Sequence, residues 1–262
     1  MPAVFIGHGS PMNTFAQNRY TWAWQEFGRT APRPAAILAV SAHWCEPGTG
    51  VTAMEKPPTI HDFGGGFPQA LFDFDYPAPG SPQFAQRVRN LLAPLAVRAD
   101  NKWGLDHGAW SVLTHVYPRA DIPVVQLSID STRPNAFHYD LGRRLAPLRD
   151  ENILIAGLGN IVHNLGRLNW SDDAQALGWA ARFNDAVRER VMKADHLPLI
   201  DYASLGADAQ LGVTTPEHYL PLLYVLGAQQ PDESATILVD GIQNASISML
   251  SVVVGQPRES ES

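Results

Sequence analysis

The sequence contains a single cysteine, Cys45, in 262 residues. One cysteine cannot form an internal disulfide and cannot supply a cysteine-rich zinc or iron–sulfur site. A chain that needs no disulfide suits a reducing compartment, so we expect a cytoplasmic protein. The sequence also lacks a basic leader followed by an apolar stretch, and it has no apolar run near the ~20 residues that cross a membrane. We therefore expect neither a signal peptide nor a membrane partner.

Basic residues are also scarce, since 19 lysines and arginines stand against 26 aspartates and glutamates, a formal net charge of −7. This balance argues against the basic surface that binds nucleic acid. Hydrophobic residues make up 45% of the chain and charged residues only 17%, which excludes a disordered chain. What the sequence does have is nine histidines. A metal ion in this protein would be bound by imidazole and oxygen rather than by thiolate.

Short apolar runs alternate with helical patterns along the chain. The predicted strands lie at residues 3–6, 36–41, 123–129, 153–156, 235–239 and 246–254, and the predicted helices at residues 81–95, 135–148, 174–192 and 216–226. This alternation predicts a layered α/β fold, and the length suits one sizeable domain. A glycine- and proline-rich segment at 46–82 lacks either pattern, and its part at 54–82 is a candidate pocket wall. We expect residues 256–262 to form a disordered tail.

Several common catalytic and nucleotide-binding motifs are absent. Gly157 and Gly159 follow a predicted strand, but the third glycine of a dinucleotide-binding turn would fall at Val162. No lysine of the Walker type follows a glycine loop, no Gly-x-Ser-x-Gly turn occurs, and no His-Glu-x-x-His pair or its inverse is present. Cys45 has no activating neighbours in the sequence, so we interpret it as a bystander.

Five histidines lie at the ends of predicted elements, beside glycine or other turn-forming residues: His8, His43, His107, His163 and His218. Ligands of open α/β sheets bind outside the carboxyl ends of the strands, which is where such positions are found. Three imidazoles would fix a metal ion with open positions, and two more could serve as acid and base near neutral pH. The alternative at each position is an ordinary turn or packed histidine, and position alone does not say which three would bind metal.

Helix starts favour neutral rings at two of these positions. Asp106 is a candidate cap for a helix that begins at His107, and Thr215 and Pro216 place His218 in a first helical turn. The positive end of a helix dipole favours the unprotonated imidazole, which is the form that binds metal. Of the other four histidines, His61 is a candidate pocket residue, and three are interpreted as surface or structural residues: His115, His138 and His196.

Eight short motifs, taken together and in order, resemble those of the class III extradiol ring-cleaving dioxygenases, the LigB-like superfamily. The similarity is greatest to its 4,5-DOPA dioxygenase-like branch and extends over nearly the whole chain. The motifs are His-Gly-Ser-Pro-Met at 8–12, Ser-Ala-His-Trp at 41–44, Pro-Pro-Thr-Ile-His-Asp-Phe-Gly at 57–64, Tyr-Pro-Ala-Pro-Gly at 76–80, Asp-His-Gly-Ala-Trp at 106–110, Pro-Val-Val-Gln-Leu-Ser-Ile at 123–129, Gly-Asn-Ile-Val-His-Asn at 159–164 and Thr-Pro-Glu-His-Tyr-Leu-Pro-Leu at 215–222.

The resemblance implies a single three-layer α/β/α catalytic domain over residues 1–255, with a central mostly parallel or mixed sheet. It implies a mononuclear non-haem metal bound by His8, His43 and His218. His163 would be the acid/base beside the metal and a possible fourth contact, and His107 a proton donor facing the substrate. Some relatives use a glutamate as the third ligand. Here His218 takes that position, although Glu217 is adjacent.

The implied reaction opens a catechol ring, DOPA or a related compound, with O₂ and gives a muconate-semialdehyde-type product. Activity would require Fe(II), although Zn(II) can occupy such a site as purified. From the segment at 54–82 we expect four residues to contact the substrate: His61, Asp62, Phe63 and Tyr76. The expected partners are a small catechol and O₂, without nucleic acid or membrane, in a monomer or small homo-oligomer. Two alternatives stay open: a zinc-dependent hydrolase or hydratase on the same three histidines, and a non-catalytic metal-binding relative.

Overall fold

The computed structural model describes residues 1–171 and 174–257. The strands are β1 (Ala3–Gly7), β2 (Ala36–Ser41), β3 (Cys45–Glu46), β4 (Thr49–Thr52), β5 (Val97–Asp100), β6 (Val124–Gln126), β7 (Ile129–Asp130), β8 (Ile153–Gly159), β9 (Glu233–Val239), β10 (Ile242–Gln243), β11 (Ile247–Ser248) and β12 (Ser251–Pro257). The α-helices are α1 (Arg19–Thr30), α2 (Gln69–Phe72), α3 (Pro82–Leu91), α4 (His107–Val116), α5 (Asn135–Leu145), α6 (Gly178–Met192), α7 (Leu197–Ile200), α8 (Ala207–Gly212) and α9 (Leu220–Gly227).

Six strands form the central sheet in the order β6-β2-β8-β1-β12-β9. The first four are parallel to one another, whereas β12 is antiparallel to β1 and to β9. Helices cover both faces of the sheet. The side chains of each central strand alternate between two hydrophobic clusters, one on each face. In β1, Phe5 belongs to the same cluster as Leu222 of α9, and Val4 belongs to the same cluster as Trp24 of α1 and Trp110 of α4. The predicted mostly parallel or mixed sheet in an α/β fold is confirmed.

Most element boundaries lie close to the sequence predictions. β2 occupies residues 36–41 as predicted, the run at 123–129 divides into β6 and β7, and the run at 246–254 divides into β11 and part of β12. The predicted helix at 81–95 ends at Leu91, and the one at 174–192 begins at Gly178. The segment at 46–82 is less irregular than expected, since it contains β4 and α2.

The described residues at the carboxyl end include the first two positions of the tail that we expect at 256–262. Strand β12 extends to Pro257, and its last two residues pair with Ser234 and Glu233 of β9. The remaining positions of that predicted tail, 258–262, lie outside the described residues.

Candidate metal and active site

Three of the five candidate histidines follow neighbouring parallel strands. His8 follows β1, His43 follows β2, and His163 lies shortly after β8. Because β2, β8 and β1 are adjacent and parallel, their carboxyl ends share one edge of the sheet. The strand-end argument from the sequence therefore places these imidazoles together, as the structure finds.

Helix α4 brings a fourth histidine to the same edge. Asp106 caps this helix, and its side chain accepts a hydrogen bond from the backbone nitrogen of Ala109 at 3.1 Å. The same carboxylate also accepts hydrogen bonds from Ser41 Oγ at 2.6 Å and from Gln126 Nε2 at 2.7 Å. This buried network ties the start of α4 to β2 and β6, and so sets the position of His107.

The fifth histidine, His218, arrives through a close contact between α9 and β8. The backbone nitrogen of Asn160 donates to the His218 carbonyl at 2.8 Å. A Cβ atom at Gly159 would lie 2.1 Å from that carbonyl oxygen, and one at Gly157 would lie 2.4 Å from the carbonyl of Pro221. The two glycines that suggested a dinucleotide-binding turn thus serve to let this backbone approach the strand.

The five rings form one cluster. The ring centroids of His8 and His43 are 5.1 Å apart, those of His8 and His218 are 5.5 Å apart, and those of His43 and His218 are 5.1 Å apart. His107 lies 3.8 Å from His43 by the same measure, and His163 stacks on His218 with centroids 3.5 Å apart and planes within 7°. One ring nitrogen from each of His8, His43 and His107 lies within 4.8 Å of the others.

Three of these rings carry a buried Nε2 without a hydrogen-bond partner among the described residues: His8, His43 and His218. Their other nitrogen is engaged in each case. Nδ1 of His8 lies 2.9 Å from the Gly9 carbonyl, Nδ1 of His43 lies 3.1 Å from Asp62, and Nδ1 of His218 lies 3.3 Å from Glu217. Carbonyl and carboxylate oxygens only accept, which favours the proton on Nδ1 and the lone pair on Nε2. This is the tautomer a metal-binding imidazole requires.

Asp62 contacts two histidines at once. Its Oδ1 accepts from the backbone nitrogen of His107 at 2.8 Å and from the ring Nδ1 of His107 at 3.0 Å. Its Oδ2 lies 3.1 Å from Nδ1 of His43. Burial of the carboxyl raises its pKa, but the hydrogen bonds to His107 and His43 outweigh that effect, so the pKa of Asp62 is lowered and the group is ionised.

Burial and mutual repulsion keep most of the cluster uncharged. Burial, followed by the charges of neighbouring histidines, lowers the pKa of His8 and of His218 well below 6.5 and lowers the pKa of His163 to about 4. Burial also lowers the pKa of His107, against the opposing effect of the hydrogen bond that its ring donates to Asp62. At His43 burial acts in the same direction, but Asp62 and the other nearby carboxylates outweigh it and raise the pKa. Neutral rings are the metal-binding and proton-accepting form.

A cavity of about 360 Å³ opens above these five histidines. Its remaining lining comes mostly from apolar groups: Gly9, Ser10, Pro11, Phe63, Gly64, Phe67, Leu165, Leu168, Trp170, Asn244 and Ile247. The segment at 54–82 therefore contributes to the wall, as the sequence predicts, through Phe63, Gly64 and Phe67. A larger open groove of about 1080 Å³ runs beside α5 and includes none of the five histidines in its lining.

Two other predicted substrate contacts lie elsewhere. The Tyr76 side chain is buried in the core, where its hydroxyl donates to the Tyr117 carbonyl at 2.8 Å. His61 Nε2 bonds the Phe74 carbonyl at 2.9 Å, and its ring packs beside Trp110. Neither is among the residues that line the cavity in the described part of the chain. Asp62 is likewise behind the histidines rather than on the cavity wall, so of the four predicted contacts only Phe63 faces the cavity.

The histidines interpreted as structural residues have ordinary partners. His115 lies between the Asn13 carbonyl and Gln25, and His196 bonds the Tyr139 hydroxyl and Gln229. His138 bonds the Tyr224 hydroxyl through Nδ1, and its buried Nε2 has no hydrogen-bond partner among the described residues. Burial of Cys45, together with the charges of nearby carboxylates, raises the pKa of its thiol to about 11. A protonated thiol is a poor nucleophile, which agrees with the bystander interpretation.

Sequence reasoning missed a part of the cavity wall that lies outside the segment at 54–82. Leu165, Leu168 and Trp170 follow His163 in a stretch with no α-helix or strand. Asn244 lies in the turn between β10 and β11, and Ile247 is the first residue of β11. The available signal was the presence of large apolar residues without helical or strand periodicity directly after a candidate site histidine.

Residues 4–255 match the family described as the catalytic LigB subunit of aromatic ring-opening dioxygenase. The chain belongs to this LigB family. A relative from Escherichia coli (strain K12), named 4,5-DOPA dioxygenase extradiol, is 56% identical over 97% of this chain and 95% of its own length. A relative of the same name from Beta vulgaris is 37% identical over 89% of each chain. The LigB fold is also that of a crystal structure of an uncharacterized protein from Escherichia coli K12, with a TM-score of 0.86, 50% identity and coverage of 97% and 100%.

This LigB protein is therefore an aromatic ring-opening extradiol dioxygenase, a non-haem metal enzyme that uses O₂. Membership of this family favours ring cleavage over the two alternatives that the sequence left open, a zinc-dependent hydrolase or hydratase and a non-catalytic metal-binding protein. Among the described residues, no helix has both the length and the apolar character required to cross a bilayer.

Proposed function

We propose that the protein opens a catechol ring with O₂ at a single Fe(II) ion bound by His8, His43 and His218, and gives a muconate-semialdehyde-type product. The observation that carries this proposal is the set of three buried Nε2 atoms without hydrogen-bond partners among the described residues. A buried polar atom without a partner costs about 1–3 kcal/mol, and three of them in one cluster are compensated if a metal ion binds there.

The choice of His218 over His107 as third ligand follows from those same atoms. A ring nitrogen of His107 lies within 4.8 Å of nitrogens of His8 and His43, so distance alone would admit it. Its Nε2, however, is not one of the orphaned buried atoms, whereas that of His218 is. Three neutral ligands leave the full charge of the ion on the site, which favours an anionic catecholate.

Once bound, Fe(II) supplies the charge that lowers the pKa of the catechol hydroxyls and the redox chemistry that activates O₂. The chain supplies proton transfer and orientation. His163 has a pKa of about 4, so its ring is neutral at pH 7 and accepts a proton from a catechol hydroxyl. Its parallel contact with His218 at 3.5 Å holds the ring beside the ligand set.

His107 acts as the second proton-transfer residue in this proposal. Asp62 accepts from its Nδ1–H, so the neutral ring has its lone pair on Nε2 and lines the cavity. A proton taken up at Nε2 from the second catechol hydroxyl gives an imidazolium that the ionised Asp62 stabilises, and this proton is then returned to the substrate. The arrangement follows the logic of a histidine backed by a buried carboxylate.

The test is anaerobic reconstitution with Fe(II), followed by O₂ uptake with a panel of catechols. DOPA is the first compound to try because two relatives are named for it; catechol, caffeate and protocatechuate complete the panel. We expect O₂ consumption that depends on both Fe(II) and catechol, and none with the Zn(II)-loaded protein. An iron-loaded protein that consumes no O₂ with any of these compounds would contradict the proposal. We also propose that the protein is cytoplasmic and that it is a monomer or a small homo-oligomer.

A further inference from the structure

The upper wall of the site cavity is apolar. Its large side chains come from two segments far apart in the sequence, Phe63 and Phe67 from one and Leu165, Leu168 and Trp170 from the other. Among the described residues that line the cavity, none is a lysine, arginine, aspartate or glutamate. Among the described lining residues, therefore, no oppositely charged side chain contacts a charged group on a substrate.

The two uncharged polar side chains of the upper wall are already engaged with nearby backbone. Ser10 Oγ accepts from the backbone nitrogen of Met12 at 3.2 Å, and Asn244 Nδ2 donates to the Asn169 carbonyl at 3.3 Å. Both bonds hold turns in place, so neither group is positioned chiefly for a substrate.

The exposed fractions of the lining residues distinguish the closed bottom of the cavity from its mouth, the end that opens to solvent. His8 and His107 are 1% and 5% exposed, whereas Leu165 and Trp170 are 62% and 66% exposed. A catechol with its hydroxyls among the histidines would thus direct the opposite edge of its ring, with any substituent there, toward Leu165 and Trp170. These two belong to the few large apolar side chains that the described surface leaves open.

An apolar substituent would cover Leu165 and Trp170 and remove apolar surface from water, which is favourable in proportion to the area covered. A zwitterionic amino-acid substituent would have to stay hydrated at the mouth or lose water without a charged partner. The first outcome adds binding energy, and the second adds none.

We propose that this enzyme prefers catechols with an uncharged, apolar substituent over catechols whose substituent is a charged amino-acid group, and that Leu165 and Trp170 determine this preference. The inference deepens the proposed function and rests on it, because it concerns the same cavity.

The test compares kcat/KM of the Fe(II)-loaded enzyme for 4-methyl-, 4-ethyl- and 4-propylcatechol with that for DOPA. Each added methylene is expected to raise kcat/KM by roughly threefold while it still contacts the wall. Calorimetric binding of the same compounds to the Zn(II)-loaded protein, which consumes no O₂, gives an affinity readout that is independent of turnover. A flat alkyl series in both assays, or a higher kcat/KM for DOPA than for 4-propylcatechol, would overturn the inference.

Variants of Trp170 and Leu165 test whether these two residues cause the preference for apolar substituents. Trp170→Ala is expected to remove most of the gain along the alkyl series, whereas the matched change Trp22→Ala, at an exposed tryptophan on α1 outside the cavity lining, leaves it intact. Leu165→Arg adds a cation at the mouth and is expected to raise kcat/KM for DOPA relative to 4-propylcatechol by about two- to fivefold, the range of an exposed ion pair. An unchanged alkyl series in Trp170→Ala would exclude this residue as the determinant.

Failure of this inference is distinguishable from failure of the proposed function. O₂ uptake with DOPA as the favoured compound sinks the inference and leaves ring cleavage in place. Absence of O₂ uptake with every catechol sinks the proposed function, and calorimetry with the alkyl series still decides whether the wall selects apolar substituents.

Discussion

Asp62 holds His107 by two hydrogen bonds, from the backbone nitrogen at 2.8 Å and from the ring Nδ1 at 3.0 Å. Its other oxygen lies 3.1 Å from Nδ1 of His43. One carboxylate thus orients a proposed metal ligand and a proposed proton donor. The motif that contains Asp62 suggested a substrate contact, whereas the structure places its carboxylate against His107 and His43, and we propose that it positions these two rings.

Replacing this carboxylate should weaken the metal site without disturbing the fold. Asp62→Asn keeps the shape but converts one acceptor into an amide nitrogen, so one of the two histidines loses its acceptor. We expect metal affinity to fall by roughly 10- to 100-fold, as for other partners of metal-binding histidines, together with a lower kcat. Competition with a chromophoric chelator measures the affinity directly. Asp73→Asn, an exposed change on the same segment, is the control, and equal affinities in both variants would exclude the positioning role.

Two substitutions separate the proposed ligand from the proposed proton donor. His218→Ala should lose more metal affinity than the roughly 10- to 100-fold that an outer partner contributes, because it removes a direct ligand. His107→Gln should bind metal nearly as well as the parent and should lose turnover instead. Metal content after dialysis against a weak chelator, set beside O₂ uptake, measures both properties. Retention of metal by His218→Ala with loss in His107→Gln would reverse the assignment.

His163→Gln tests the proton acceptor. General acid–base catalysis typically contributes about 10²- to 10⁴-fold, and we expect kcat to fall within this range while metal binding persists. A matched control is His196→Gln, because His196 lies in the groove beside α5 and outside the cluster. Unchanged turnover in His163→Gln would remove this residue from the mechanism.

Buried histidines should make the metal-free protein sensitive to acid. Burial lowers the pKa of His138 to about 4, below its ordinary 6.5. The unfolded state therefore binds more protons between pH 6.5 and pH 4, and stability falls as the pH falls through this window. The share of His138 alone is about 3 kcal/mol. Urea unfolding at pH 7 and at pH 4.5 should show a smaller loss in His138→Asn than in the parent, and equal losses would contradict the assignment.

Local sequence signals were enough to predict that these histidines lie close together. His8, His43 and His163 each follow an apolar run, and parallel strands bring their ends to one edge. The helix start at His107 was readable because Asp106 precedes it as a cap. Such signals depend on residues adjacent in the chain, which is why they could be found without the fold.

Tertiary contacts decided what the sequence could not. Tyr76 and His61 share a motif-rich segment with Phe63, yet only Phe63 faces the cavity. Which side chain of a segment turns inward depends on the elements it packs against, here α4 through Trp110 and the Tyr117 carbonyl. Trp170 was missed for the same reason, since its role depends on the cavity rather than on its neighbours in the chain.

The most direct test of the central claim is the product formed from the best catechol, measured together with O₂ uptake by the Fe(II)-loaded protein. The account predicts one O₂ consumed per catechol and a ring-opened acid whose mass is that of the catechol plus both oxygen atoms. A quinone, with the mass of the catechol less two hydrogen atoms, would show simple oxidation of the diol and would contradict ring cleavage at this site.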